Sequence, residues 1–193
     1  MSADPRAVFD FWFGAEGSAE RGTQREVWFR KDAAFDAQIA QRFGSLVERA
    51  IAGELRDWEA EPASALARIV LLDQFTRNVF RDTPRAFAGD VLALAAARKM
   101  VAQQQDQALP AEQRSFVYMP FEHAEDLAAQ DEAVRLFGRL EADAPSLEGL
   151  LDYAQRHRVI VARFARFPHR NAVLGRPSTD EELAFLQQPG SRF

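Results

Sequence analysis

The chain contains no cysteine. Disulfides, thiolate metal sites and cysteine nucleophiles are therefore excluded. Lysine is almost as scarce: of the 24 basic residues, 22 are arginine and only Lys31 and Lys99 are lysine. GC-rich coding produces such a bias. So does a need for cations that stay charged and bind bidentately when buried. No apolar run approaches a bilayer span, the longest being residues 91–97. Glycine and proline stand at punctuation points, so no linker or low-complexity segment divides the chain.

Positive charge is also lacking in bulk, the formal net charge being -5. That argues against a general nucleic-acid or anionic-membrane binder, which needs concentrated cations. Asp4 and Asp10 flank a short apolar run, unlike the positive n-region of a secretory signal. The expectation is a cytoplasmic protein with one domain over residues 1–193. Its 47% hydrophobic content suffices for a sizeable core.

Helix punctuation is abundant. Asp4-Pro5 reads as a cap and first helical residue, with Gly14 as a stop. Asp32 starts a helix whose Phe35, Ile39, Phe43, Leu46, Val47 and Ala50 share a stripe, ending at Gly53. Pro62 opens a third helix, running through Asp73, and Thr83-Pro84 a fourth segment. Asp90 is expected to cap an alanine-rich helix to about Gln105. Pro110 starts another, which Pro120 interrupts, and a further helix covers 124–141. Pro145 begins a long helix, and Ser178–Glu181 reads as a capping box before the last one. No period-2 strand or hairpin signal occurs. The fold class predicted is all-α, with about eight or nine helices.

Three polar stretches break the core pattern. In "DQFTRNVFR", Asp73, Arg77 and Arg81 are four apart and share a helix face. In "YMPFEHAEDL", Glu122, His123 and Asp126 fall within two turns. In "RFARFPHRN", residues 163–171, arginines alternate with aromatics. Between Tyr153 and Thr179 there is no acid, but six arginines: Arg156, Arg158, Arg163, Arg166, Arg170 and Arg176. Solvated ion pairs, helix capping and cations at a helix C-terminus would account for many of these charges. The other reading brings the stretches together, with Arg163, Arg166 and Arg170 facing Asp73, Glu122 and Asp126. Phe75, Phe80, Phe121, Phe164 and Phe167 are expected in the core around them.

No metalloprotease, di-iron, P-loop, Rossmann or serine-hydrolase motif is present, and the three histidines have no compact metal spacing. No metal site and no cofactor are therefore predicted. A site formed by these stretches would have His123 and His169 as proton-transfer groups and Glu122 or Asp73 as orienters. Its ligand-binding wall would be Asp73, Arg77, Asn78, Arg81, Arg163, Arg166, Arg170 and Asn171. Paired guanidiniums take carboxylate or phosphate bidentately, so the ligand would be a small anion. Two alternatives stand beside it: a helical interaction module gripping an acidic peptide, and a buried arginine–carboxylate network with no ligand.

The stretches "FDFWFG", "WFRKDAAFD", "LLDQFTRNVFRDTPRAFAGD", "YMPFEHAEDLAAQ" and "HRVIVARFARFPHRNAVLGRPSTDEELAFL" resemble a bacterial family of domains of unknown function, numbered 924. The resemblance spans about residues 5–189. It implies an all-helical, tetratricopeptide-like stack of antiparallel helix pairs and no known activity. Its characteristic positions here are Asp73, Gln74, Arg77, Asn78 and Arg81, then Glu122, His123 and Glu125, then Arg163, Arg166, His169, Arg170 and Asn171. Two positions depart from the pattern: Ala165 stands where glycine is usual and Ala124 where serine is usual.

Overall fold

The computed structural model describes residues 4–191, and among them every regular element is helical. Helix α1 (Pro5–Phe13) begins as the sequence predicts, with the Asp4 carboxylate accepting from Arg6 N and proline in the first turn. Helix α2 (Ala33–Ile51) is capped by Asp32, which accepts from Ala34 N and Phe35 N, and buries Phe35, Ile39, Phe43, Val47 and Ala50. Leu46 stays only partly covered.

Helix α3 (Pro62–Val70) is buried all round from Ala65 onward, as a central helix must be, and packs against α1, α5 (Asp90–Ala102) and α6 (Ala111–Glu122). It does not run straight through Asp73. Residues Leu71–Phe75 form a wider π-helical turn before the short α4 (Thr76–Val79). Such turns spread the backbone and re-aim side chains. The chain then passes extremely close to itself. A Cβ on Gly89 would lie 2.1 Å from the Leu72 carbonyl oxygen, so only glycine fits there. Gly89, not Asp90, is the N-cap of α5, which ends at Ala102, short of Gln105; the Asp90 carboxylate is thereby left for other partners.

The second half is a run of sequential neighbours: α6 packs on α7 (Leu127–Asp143), and α7 on α8 (Leu150–Phe164). Pro120 does not interrupt α6. The helix continues to Glu122, and His123 N still bonds the Met119 carbonyl at 2.9 Å. The carbonyls freed at its end are taken by the Gln130 amide, which donates to Glu122 O at 2.6 Å and Ala124 O at 2.7 Å. Asp126 caps α7 by accepting from Ala129 N. Helix α7 buries Phe137 and Leu140, whereas Leu127 is 43% exposed. The last helix, α9 (Asp180–Phe185), has its capping box one residue later than predicted, between Thr179 and Glu182. The reason is that Glu182 is the inward carboxylate, needed by other side chains as well.

One apolar cluster extends from Val8 to Ala154, and Ile160, Val161 and Phe167 form a smaller one beneath the C-terminal segment. Phe75, Phe121 and Phe167 are buried as expected. Phe80 and Phe164 are only half-buried: each packs on the edge of an apolar cluster, with Arg85 stacked on Phe80 and Arg163 on Phe164. Ala165 caps α8 with φ +56, a left-handed conformation that costs an L-residue about 1–2 kcal/mol. This is the physical reason a glycine suits that position.

Candidate functional site

A cleft of about 500 Å³ opens between the loop preceding α2, the segment 74–81, the end of α6 and the start of α8. Gln74, Arg77, Asn78, Arg81, Glu122, His123 and His157 line it on the inner side. Trp28, Phe29, Arg30 and Lys31 reach it from the loop, and Glu148, Leu150 and Tyr153 from α8 and its approach. The loop is held by its own side chains. Arg25 donates to the last carbonyls of α1, Phe11 O and Trp12 O, both at 2.7 Å, and Trp28 Nε1 to Trp12 O at 2.9 Å.

Asp73 lies beneath the cleft, 1% exposed, aimed inward by the π turn. Its Oδ1 is 2.7 Å from His123 Nδ1 and 3.3 Å from Arg77 Nη1, and its Oδ2 accepts from Gln74 Nε2 at 2.5 Å. Burial opposes the charged form of this carboxylate. The fields of His123 and Arg77 outweigh it and hold Asp73 well below the usual carboxylate range. With Asp73 ionised, His123 Nδ1 must be the donor, and among the described residues none bonds Nε2. The neighbouring residue, Glu122, is buried and lies 2.9 Å from Nδ1 of the buried His157.

The arginines are largely committed. Arg77 grips Asp90 with both terminal nitrogens, at 2.8 and 3.1 Å, and also donates to the Asp73 carbonyl. Arg81 does not extend the Asp73–Arg77 ladder. It pairs bidentately with Asp36 on α2, at 2.7 and 2.8 Å, and Asn78 donates to the same carboxylate.

The stretch 163–171 meets 118–127 directly, through Glu125, and reaches 73–81 through Asp90, so not through the carboxylates predicted. Arg163 is exposed and pairs with Glu181, and Arg166 forms a bidentate pair with Glu182, both in α9. Neither faces Asp73, Glu122 or Asp126. Asn171 joins the Glu182 group, and Arg176 Nε donates to its side-chain oxygen. Arg170 is buried between the rings of Phe87 and Phe167, 4.6 Å from each, with one contact to Asp90 at 3.3 Å. Burial, and Arg77 nearby, push its pKa down to about 10. His169 packs on Phe167, ring centroids 5.6 Å apart, and does not line the cleft. Asp126 is spent on capping α7, with Arg98 3.8 Å away.

Two carboxylates outside the predicted set make the junctions. Asp90 joins Arg77 to Arg170. Glu125 takes both terminal nitrogens of Arg176, at 2.6 and 2.8 Å, and the Phe167 N–H at 2.7 Å. Burial opposes its charge, but these bonds keep Glu125 below its ordinary range. Glu125 sits in a stretch already marked by its acids; nothing in the local sequence distinguishes Asp90 or Asp36 from surface acids. Among the described residues no group of three histidines or acids is placed to hold a metal ion, and no helix is long and apolar enough to cross a membrane.

No curated protein matches the chain. The solved structure of a protein of unknown function, ATU0120 from Agrobacterium tumefaciens, superposes with a TM-score of 0.81. It shares 40% identity, and the match covers 95% of this chain and 96% of that one. Residues 8–190 match the model of the family described as bacterial protein of unknown function, DUF924. The chain belongs to that family.

Proposed function

We propose that the protein binds a small anionic molecule, a carboxylate or phosphate, in the cleft above Asp73. The observation that carries this reading is the lining. Among the described residues that line it, Arg30, Lys31, Arg77 and Arg81 stand against Glu122 and Glu148, within a concave space of about 500 Å³ that also offers aromatic surface. Arg77 and Arg81 supply field and hydrogen bonds from fixed positions, because Asp90 and Asp36 hold them. Arg30 and Lys31 are exposed and loosely paired, at 3.6–3.7 Å and 3.3 Å, and are free to turn toward a ligand. Asn78 stands beside them, and His123 with Glu122 forms the inner wall.

A second reading holds for the remaining candidates. Arg163, Arg166, Arg170 and Asn171 serve as a latch that ties the C-terminal segment to the body, since their partners are carboxylates of the chain itself. An acidic peptide, the interaction-module alternative, would meet the same basic rim but gain nothing from the buried imidazoles. We place the protein in the cytoplasm on its composition.

The test is thermal unfolding in inorganic phosphate and in succinate. A ligand at 100 times its Kd stabilises by about 2.7 kcal/mol. Exchange of both Arg30 and Lys31 for alanine should abolish that gain without lowering stability in plain buffer. No stabilisation by either anion at about 10 mM, where a millimolar site is mostly filled, refutes the reading.

A further inference from the structure

Two aromatic residues stand out by their exposure. Among the described residues Phe29 and Tyr153 are the only strongly exposed aromatics, at 61% and 45%, and both line the cleft. In a chain with 16 phenylalanines, 3 tryptophans and 2 tyrosines, chance would scatter such rings over the surface. They belong to different walls, Phe29 to the loop before α2 and Tyr153 to the first turn of α8. Both rings are braced. Phe29 meets Trp28 edge-on, ring centroids 6.2 Å apart, and Trp28 in turn packs on Phe116 at 4.8 Å and on Trp12 at 6.0 Å. The Tyr153 ring lies 5.7 Å from that of His157, with the Arg156 guanidinium 5.1 Å from its centroid. Braced rings lose little freedom when a ligand seats on them. An exposed phenylalanine also leaves apolar surface in water, which a bound partner would remove.

The cleft puts ring and charge side by side. Arg30 and Lys31 follow Phe29 directly in the loop, and Arg77 and Arg81 line the inner side. The volume, about 500 Å³, is that of a site for a drug-sized molecule; an inorganic phosphate or a short dicarboxylate would leave most of it to water. We propose that the ligand is an aryl anion: a planar aromatic or heteroaromatic body carrying a carboxylate or phosphate, its ring on Phe29 and Tyr153 and its charge toward the four cations. The inference rests on the anion-binding reading and names the class of anion. Aromatic partners meet offset-stacked or edge to face, because a ring is negative on its face and positive at its edge. A planar body therefore gains an attraction that a saturated ring of the same size does not. Leu150 and Met119 add apolar lining, and a methionine thioether suits a ring edge.

Calorimetry on the full chain compares phenyl phosphate with cyclohexyl phosphate and inorganic phosphate, and benzoate with cyclohexanecarboxylate and acetate. In at least one series the aryl member should bind tightest. Each ring contact is worth about twofold to twelvefold beyond the area it buries, so two should favour the aryl over the saturated ring about fivefold or more. Phe29→Leu and Tyr153→Leu keep an apolar side chain and remove the aromatic ring. Each should lower the aryl-to-saturated ratio at least about twofold. A ratio of two affinities within one protein is not imitated by a change in stability. Both positions are exposed, and if one variant does not fold, the other decides. Aryl and saturated anions bound alike, or a ratio that survives both substitutions, overturns the aryl class and leaves the anion site standing. No binding by any of these anions overturns both.

Discussion

Asp73→Asn removes one charge and changes nothing in size. Three donors converge on this carboxylate: His123 Nδ1 at 2.7 Å, Gln74 Nε2 at 2.5 Å and Arg77 Nη1 at 3.3 Å. An asparagine has one accepting oxygen. With that oxygen kept toward His123 and Arg77, the amide would turn its hydrogens toward Gln74, donor against donor, in a place 1% exposed. Removing one partner of a buried ion pair costs about 3–5 kcal/mol. The retained oxygen offsets part of that, so we expect a loss of about 3 kcal/mol. For a chain of this size each kcal/mol moves Tm by about 2–4 °C, giving a fall of about 6–12 °C by circular dichroism. The pH dependence has a fixed sign. The folded-state pKa of Asp73 is depressed, so its stabilisation is full above the unfolded value, about 3.9, and fades as pH falls below it. The gap between wild type and variant should therefore narrow in acid. A loss under about 1 kcal/mol at neutral pH, or a gap that widens in acid, refutes the assignment of Asp73 as an ionised buried hub.

Glu125→Ala and Arg176→Ala should each destabilise, and a double-mutant cycle by urea unfolding should return a coupling above about 1 kcal/mol; additivity would mean the Glu125–Arg176 pair carries no energy. Ala165→Gly should raise stability by about 0.5–1 kcal/mol, relief of the left-handed strain exceeding the added chain entropy, and a destabilised variant would contradict the φ of +56. Phe167→Ala should cost about 3–5 kcal/mol, and Phe164→Ala clearly less because its ring is only half-buried; equal losses would refute the burial difference.

The all-helical class was legible because it depends on local chemistry. Asp4 and Asp32 cap the helices they precede, Pro62 opens α3, and the stripe of α2 buries the residues its spacing selects. Local rules failed where tertiary demand overrode them. Pro120 stays within α6, whose ladder continues past it with His123 N on the Met119 carbonyl, and Gln130 on the next helix takes the carbonyls at the helix end. Asp90 is not a cap, since Gly89 is fixed by its closeness to Leu72 and Asp90 is claimed by Arg77.

The site divides in the same way. The helical class, the lack of thiol chemistry and the three polar stretches were readable from the sequence alone, and two of those stretches supply Arg77, Arg81, Glu122 and His123 to the cleft and Asp73 beneath it. Which acid meets which arginine was decided only by tertiary structure. Arg166 and Arg176 find Glu182 and Glu125, Arg81 finds Asp36, and His157 comes beside His123. The physical reason is range. Capping and helix periodicity act over three or four residues, whereas an ion pair joins whatever carboxylate the packed helices bring within about 4 Å, however far apart in the chain.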